Sequence, residues 1–338
     1  MNNKFIDRYS ENGMYLNKLQ RKTFNAFNEA VYSGKIQIDE VKRCFCSSNQ
    51  FQKLSKFDRF GLPFGTQICK ECGLITQTRR INEKSMELFY NKYYWNLISG
   101  KSIEIGFSTP PKIDDTTIFI TELIDKDLTS IDIFEVGVGS GDRISSLSKS
   151  ISNYGIKVNS YGCDYSEDAL KISSKKNINT IQGGFDQISN FGKADVLILS
   201  HLYEHLPDLK KSLKQIDKLV HDNTLIYIEL PGILDLPNKK EYMYNYQDYN
   251  VLAHTYNFSL NTLSYTLSTQ GFGLVKGNEF IRAVYKKSND IKIDNSKNYL
   301  EIINSLKTAY KKDLDFNKKL NNPLRKYLVR LIKSILNK

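Results

Sequence analysis

Proline and glycine are thinly spread through the 338 residues, 7 and 19 in all, which excludes collagen-like and low-complexity architectures. No run approaches the ~18 consecutive apolar residues that a membrane span needs. The opening Met-Asn-Asn-Lys-Phe-Ile-Asp-Arg also lacks an apolar signal core, so the expected compartment is the cytoplasm. Arginine is scarce, ten residues against 38 lysines, although the formal net charge is +11. Residues 288–338 hold twelve basic and five acidic side chains, a net +7, which leaves only +4 for the rest. Phosphate and base readout lean on arginine, so a nucleic-acid partner is not expected. What remains is an ordinary globular composition, 40% hydrophobic and 25% charged, long enough for about two domains.

Cysteine is rare but clustered. Four of the five fall at Cys44, Cys46, Cys69 and Cys72. In a reducing compartment such pairs read as a metal site rather than disulfides, and four thiolates close the tetrahedral shell of a structural zinc ion. The spacing therefore predicts a zinc-binding module over 36–81. An N-terminal helix at 1–35 precedes it, and an aromatic helix and linker at 82–112 follow. From 113 to 287 apolar runs at 131–136, 156–163, 178–181, 195–200 and 224–229 alternate with helical stretches. That rhythm predicts a doubly wound α/β domain with a parallel sheet covered on both faces. The polar-aromatic stretch 231–258 interrupts it and reads as a lid.

The first strand of that domain runs into Glu135-Val-Gly137-Val-Gly139-Ser-Gly141-Asp-Arg. Glycines here let the backbone turn sharply and let a ligand approach a helix N-terminus. The dinucleotide spacing G-x-G-x-x-G fails, because Asp142 stands at the third glycine, and no P-loop Lys-Ser/Thr follows. A neutral or cationic nucleoside suits this loop better than a pyrophosphate. Twenty-three positions after Gly141, Asp164 ends the second strand, where a carboxylate can accept hydrogen bonds from both ribose hydroxyls.

The order Glu-x-Gly-x-Gly-x-Gly, Tyr161-Gly-Cys-Asp164-Tyr165-Ser, Gln182-Gly-Gly-Phe185-Asp186, His201-Leu-Tyr-Glu204-His205-Leu-Pro-Asp208 and Thr224-Leu-Ile-Tyr-Ile-Glu-Leu-Pro231-Gly resembles the class I S-adenosylmethionine-dependent methyltransferases. The resemblance implies a Rossmann-like seven-stranded sheet. It also implies a cofactor held by Glu135, Gly137, Gly139, Gly141, Asp164, Tyr165 and Phe185, with His201 lining the cleft and Glu204 and His205 as candidate catalytic residues. The segments Asp58-Arg-Phe-Gly-Leu-Pro and Ile68-Cys-Lys-Glu-Cys-Gly-Leu-Ile resemble the zinc-binding domain that precedes the methyltransferase domain of bacterial sugar methyltransferases. By that likeness Tyr90 and Tyr94 lie over the cofactor, and the substrate is a sugar or nucleotide sugar of surface-polysaccharide synthesis.

C-methylating relatives carry His-Glu-His-Phe after the fifth strand, whereas this chain has Leu252-Ala253-His254-Thr-Tyr-Asn-Phe258. Loss of that carboxylate favours O-methylation, with His254 as the base. Two rival readings are a zinc-module RNA methyltransferase and a non-catalytic zinc-ribbon adaptor with a degenerate fold. The basic helical tail 288–338 ends in an amphipathic stretch, 323–338, suited to an anionic inner-membrane face or to packing on the protein or a second subunit.

Overall fold

The computed structural model describes residues 13–100 and 115–319. Part of the linker at 101–112 and the amphipathic stretch 323–338 therefore lie outside the described residues. The chain divides into two compact units. One gathers 1–102, 231–262 and 294–338, and the other 103–230 and 263–293.

The first unit opens with α1 (Lys18–Tyr32). Its start is set by Asn17, whose side chain accepts from the Gln20 N–H while Gln20 caps the Asn17 N–H in return, a reciprocal capping box. Short strands follow: β1 (Ile38–Glu40), β2 (Phe51–Lys53), β3 (Thr66–Cys69), β4 (Ile75–Gln77) and β5 (Arg79–Ile81). The aromatic stretch is helical, as α2 (Glu83–Phe89), a π-helical turn over Tyr90–Tyr94, and α3 (Trp95–Ile98). Phe27, Phe64, Phe89, Tyr93 and Leu97 form one buried core with Val251, Leu252 and Ala253.

In the second unit α4 (Asp115–Thr121), β6 (Ser130–Val136), α5 (Asp142–Ser152), β7 (Lys157–Asp164), α6 (Glu167–Ser173), β8 (Asn179–Gln182), α7 (Phe185–Ile188), β9 (Ala194–Ser200), α8 (Leu209–Leu219) and β10 (Val220–Glu229) run in sequence. The 231–262 segment carries α9 (Tyr246–Tyr249), β11 (Tyr256–Asn257) and the first turn of α10 (Leu260–Ser268), and β12 (Phe272–Gly277) and β13 (Arg282–Lys287) follow. The seven-stranded sheet has the order β12-β13-β10-β9-β6-β7-β8. Its last two strands are antiparallel to their neighbours, so the sheet is mixed rather than wholly parallel. The connection between them is too short for a crossover, and only a hairpin can join them. Ile131, Ile133, Val196, Ile198 and Tyr227 from the strands pack with Ile144, Leu147 and Ile151 of α5.

The stretch 231–258, which reads as a lid in sequence, belongs to the first unit. Its β11 extends the four-stranded sheet β11-β4-β3-β2, and Gln77 Nε2 donates to the Leu252 carbonyl at 2.8 Å. Ile233, Leu236, Tyr246 and Tyr249 share a second core with Ile302, Leu306 and Ala309 of α11 (Asn298–Lys319).

Candidate functional site

The glycine loop leaves the carboxyl end of β6. Gly137, Gly139 and Gly141 all have positive φ, +75°, +54° and +74°, a region that side chains with a Cβ adopt at a cost. At Gly141 space forbids a side chain as well, since a Cβ there would stand 2.5 Å from Ile178 Cδ1. The Gly137 and Val138 N–H groups both donate to the Cys163 carbonyl at 2.9 Å, which ties the loop to β7. Asp164 completes the tie: its Oδ2 accepts from the Gly139 N–H at 3.0 Å and its Oδ1 from the Ser166 N–H at 2.9 Å. Burial raises the Asp164 pKa, and these backbone donors only partly offset it. Each oxygen keeps a second lone pair for a ligand hydroxyl. Asp142, in the first turn of α5, forms an ion pair with Lys176. Tyr165 is exposed, and its hydroxyl lies 2.9 Å from where a Cβ on Gly184 would sit. Next to it Phe185 is buried at the start of α7, and Glu135 is buried near the end of β6.

Across the carboxyl ends of β9 and β10 lies a charged cluster. The Glu229 carboxylate, 6% exposed, pairs with Arg143 Nη2 at 3.3 Å and Arg282 Nε at 3.2 Å. Arg143 Nη1 donates to Ser200 Oγ at 2.9 Å. Just beyond β9, His201, Glu204 and His205 come together, with His201 Nδ1 3.4 Å and His205 Nε2 3.7 Å from Glu204 Oε1. Tyr203–His205 is a single 3-10 turn, and the helix proper begins after Pro207, where the Asp208 side chain caps the Lys211 N–H. Sequence reasoning missed Arg143, Glu229 and Arg282. The available signal was an arginine directly after the glycine loop in a chain with few arginines.

The first unit holds the remaining candidates. Tyr90 and Tyr94 pair within the π-helical turn, ring centroids 4.9 Å apart. His254 is partly buried, and its N–H donates to the Val251 carbonyl. The sulfurs of Cys44, Cys46, Cys69 and Cys72 lie within 4.8 Å of one another, with Cys44–Cys72 at 3.5 Å and Cys46–Cys69 at 3.6 Å. Hydrogen bonds among the sulfurs pull Cys69 well below the ordinary thiol range and push Cys44 and Cys72 above it. Such a donor set fits one tetrahedral soft-metal ion.

Asp58, from the Asp-Arg-Phe-Gly-Leu-Pro segment, is fully buried and organises the adjoining backbone. Its Oδ1 accepts from the Phe60 and Leu62 N–H groups and its Oδ2 from the Leu252 N–H. Burial pushes its carboxyl up to about 7, against 3.8 for the free group. A raised folded-state pKa means stability that is complete below the unfolded value and is lost as pH climbs through the folded one. The first unit is therefore expected to lose up to about 4 kcal/mol from this group between pH 4 and 8. Melting temperatures from pH 5 to 8 should fall more steeply in the wild type than in Asp58→Asn, and equal slopes would refute the assignment.

Residues 116–276 match the family model described as a methyltransferase domain. Comparison with curated proteins gives no match. Among solved structures, the plantazolicin methyltransferase BpumL, in complex with a monoazolic desmethylPZN analog and SAH, is 17% identical with a TM-score of 0.42, covering 68% of this chain and 91% of that one. A TehB-like SAM-dependent methyltransferase from Corynebacterium glutamicum is 13% identical with a TM-score of 0.36, covering 61% and 100%. The CMeT domain of the citrinin polyketide synthase is 13% identical with a TM-score of 0.44, covering 58% and 59%. At these values none of the three bears on substrate or mechanism.

Proposed function

Because the chain is a class I S-adenosylmethionine-dependent methyltransferase, with its methyltransferase domain at residues 116–276, we propose that it methylates a hydroxyl of a sugar or nucleotide sugar in surface-polysaccharide synthesis. The observation that carries this reading is the four-sulfur cluster. It stands in the same unit as the buried Asp58 motif, and the two together resemble the module that precedes the catalytic domain in sugar methyltransferases. We assign the cluster to a structural zinc ion, since four cysteine ligands leave no open position for chemistry.

The cofactor, when bound, supplies a methyl group already activated on a sulfonium sulfur, whose bonding pair stays with sulfur. The residues present fit it: three positive-φ glycines make room for close approach, and Asp164 is fixed by the Gly139 N–H with lone pairs to spare for the ribose. The protein's own tasks are to align the acceptor oxygen and receive its proton. Imidazole suits the second task near neutral pH, and the histidines concerned are His254, indicated by sequence, and His201 beside Glu204.

Incubation of purified protein with S-adenosylmethionine and a panel of nucleotide sugars, followed by mass spectrometry, is expected to show a monomethylated nucleotide sugar. Hydrolysis should then show the methyl group on oxygen. Methyl transfer to RNA with none to any sugar would overturn the substrate assignment.

A further inference from the structure

The acceptor's proton needs a destination, and the geometry beyond β9 supplies one; the inference rests on the methyltransferase reading. The Glu204 side chain is 2% exposed, yet neither carboxylate oxygen accepts a hydrogen bond among the described residues. A carboxylate taken out of water in this way demands a nearby proton or cation. Within the methyltransferase unit, the basic nitrogens within reach of it are those of the two flanking imidazoles. His205 is buried with it, 6% exposed, and cannot meet a substrate from where it stands. His201 keeps 55% of its side-chain surface exposed.

The backbone of His201 is unusual as well. Its φ is +48°, a left-handed conformation that a residue with a Cβ adopts at a cost, and its N–H is pinned to the Glu229 carbonyl at 2.7 Å. The residue before it, Ser200, is held by Arg143. The residue after it, Leu202, lies 3.5 Å from where a Cβ on Gly137 would sit. The His201 backbone is thus fixed at the carboxyl end of β9, beside the glycine loop, which is where open α/β sheets bind their ligands.

We propose that His201 and Glu204 act as a dyad, in which Glu204 is a positioning residue that keeps a proton on His201 Nδ1 and thereby leaves the Nε2 lone pair to accept the proton of the acceptor hydroxyl. The electron pair of the broken O–H bond stays on oxygen for the new O–C bond, and the imidazolium formed is balanced by Glu204. The charged groups that act on His201 agree with this. Desolvation disfavours its cation and Arg143 opposes it, but the Glu204 contact and the charges of Glu204 and Glu229 outweigh both and raise its pKa.

The full chain, labelled with 15N-histidine, tests the dyad by NMR titration without any acceptor. There are only four histidines, and His201 is assigned by the signal lost in His201→Gln. In the wild type, neutral His201 is expected as the Nδ1–H tautomer, with a pKa above that of free imidazole. In Glu204→Gln its proton affinity should drop about tenfold and the Nε2–H tautomer should gain population. A wild-type Nε2–H tautomer overturns the proposal whether or not the variant folds, as does a folded Glu204→Gln with an unchanged titration. Calorimetry of S-adenosylhomocysteine binding to the wild type separately decides the methyltransferase reading.

Discussion

Asp164→Ala is expected to weaken S-adenosylmethionine and S-adenosylhomocysteine binding at least tenfold, read by titration calorimetry. Two hydrogen bonds from ribose hydroxyls to an ionised carboxylate contribute about 1.5–3 kcal/mol each, so tenfold, or about 1.4 kcal/mol, is a lower bound. The substitution also strands the Gly139 N–H, which Asp164 Oδ2 now holds at 3.0 Å, and so loosens the loop that the ligand must lie against. The stability change should be smaller than the loss of affinity, because relief of the buried Asp164 carboxylate offsets part of the cost of stranding the Gly139 and Ser166 N–H groups. That split between affinity and stability marks a group kept for binding. Unchanged affinity would remove Asp164 from the cofactor site.

Loss of the zinc proposed for the four-cysteine cluster should have the other large effect. Structural zinc in small modules contributes about 10–16 kcal/mol of apparent folding free energy at neutral pH. Chelation or Cys69→Ser is therefore expected to unfold the first unit while the seven-stranded sheet stays protected from hydrogen exchange. The loss should reach beyond the cysteines, because Asn298 Nδ2 donates to the Cys72 carbonyl at 3.1 Å and Asn298 Oδ1 accepts from Asn261 Nδ2 at 2.6 Å. Exchange should thus rise over 36–81, 231–262 and the first turns of α11 together. Metal analysis of fresh protein that finds no zinc would dispose of the assignment.

The parts of this molecule legible in sequence are those with a short-range cause. The apolar runs of β6, β9 and β10 and the glycines after β6 impose strand and turn locally, so fold class and the glycine turn follow from neighbours alone. The Glu229 cluster is different. It joins Arg143, Glu229 and Arg282, which are far apart in the chain, through the register of β10 with β13, where Glu229 stands opposite Arg282. The packing of the stretch 231–258 is illegible in sequence for a related reason. Its tyrosines are as polar-aromatic as any exposed loop, but Tyr246 is buried in the core it shares with Ile302 and Leu306, and its hydroxyl meets a partner on β3, Thr66 Oγ1, at 2.9 Å. Likewise Glu204 and His205 occupy a single 3-10 turn, and the helix that follows starts only after Pro207, at the Asp208 cap.

The discontinuity of the first unit has a consequence for synthesis. A ribosome delivers Cys72 226 residues ahead of the Asn298 that closes over its carbonyl. At about 5–20 residues per second the interval is roughly 11–45 s. For most of that time the cysteine segment has left the exit tunnel but lacks the Asn298 donor on the Cys72 carbonyl, while the second unit is being made and can fold in the gap. Under the proposed zinc assignment, metal loading falls to the nascent chain, and cells starved of zinc during translation should accumulate chains whose central domain is sound and whose two flanks never join.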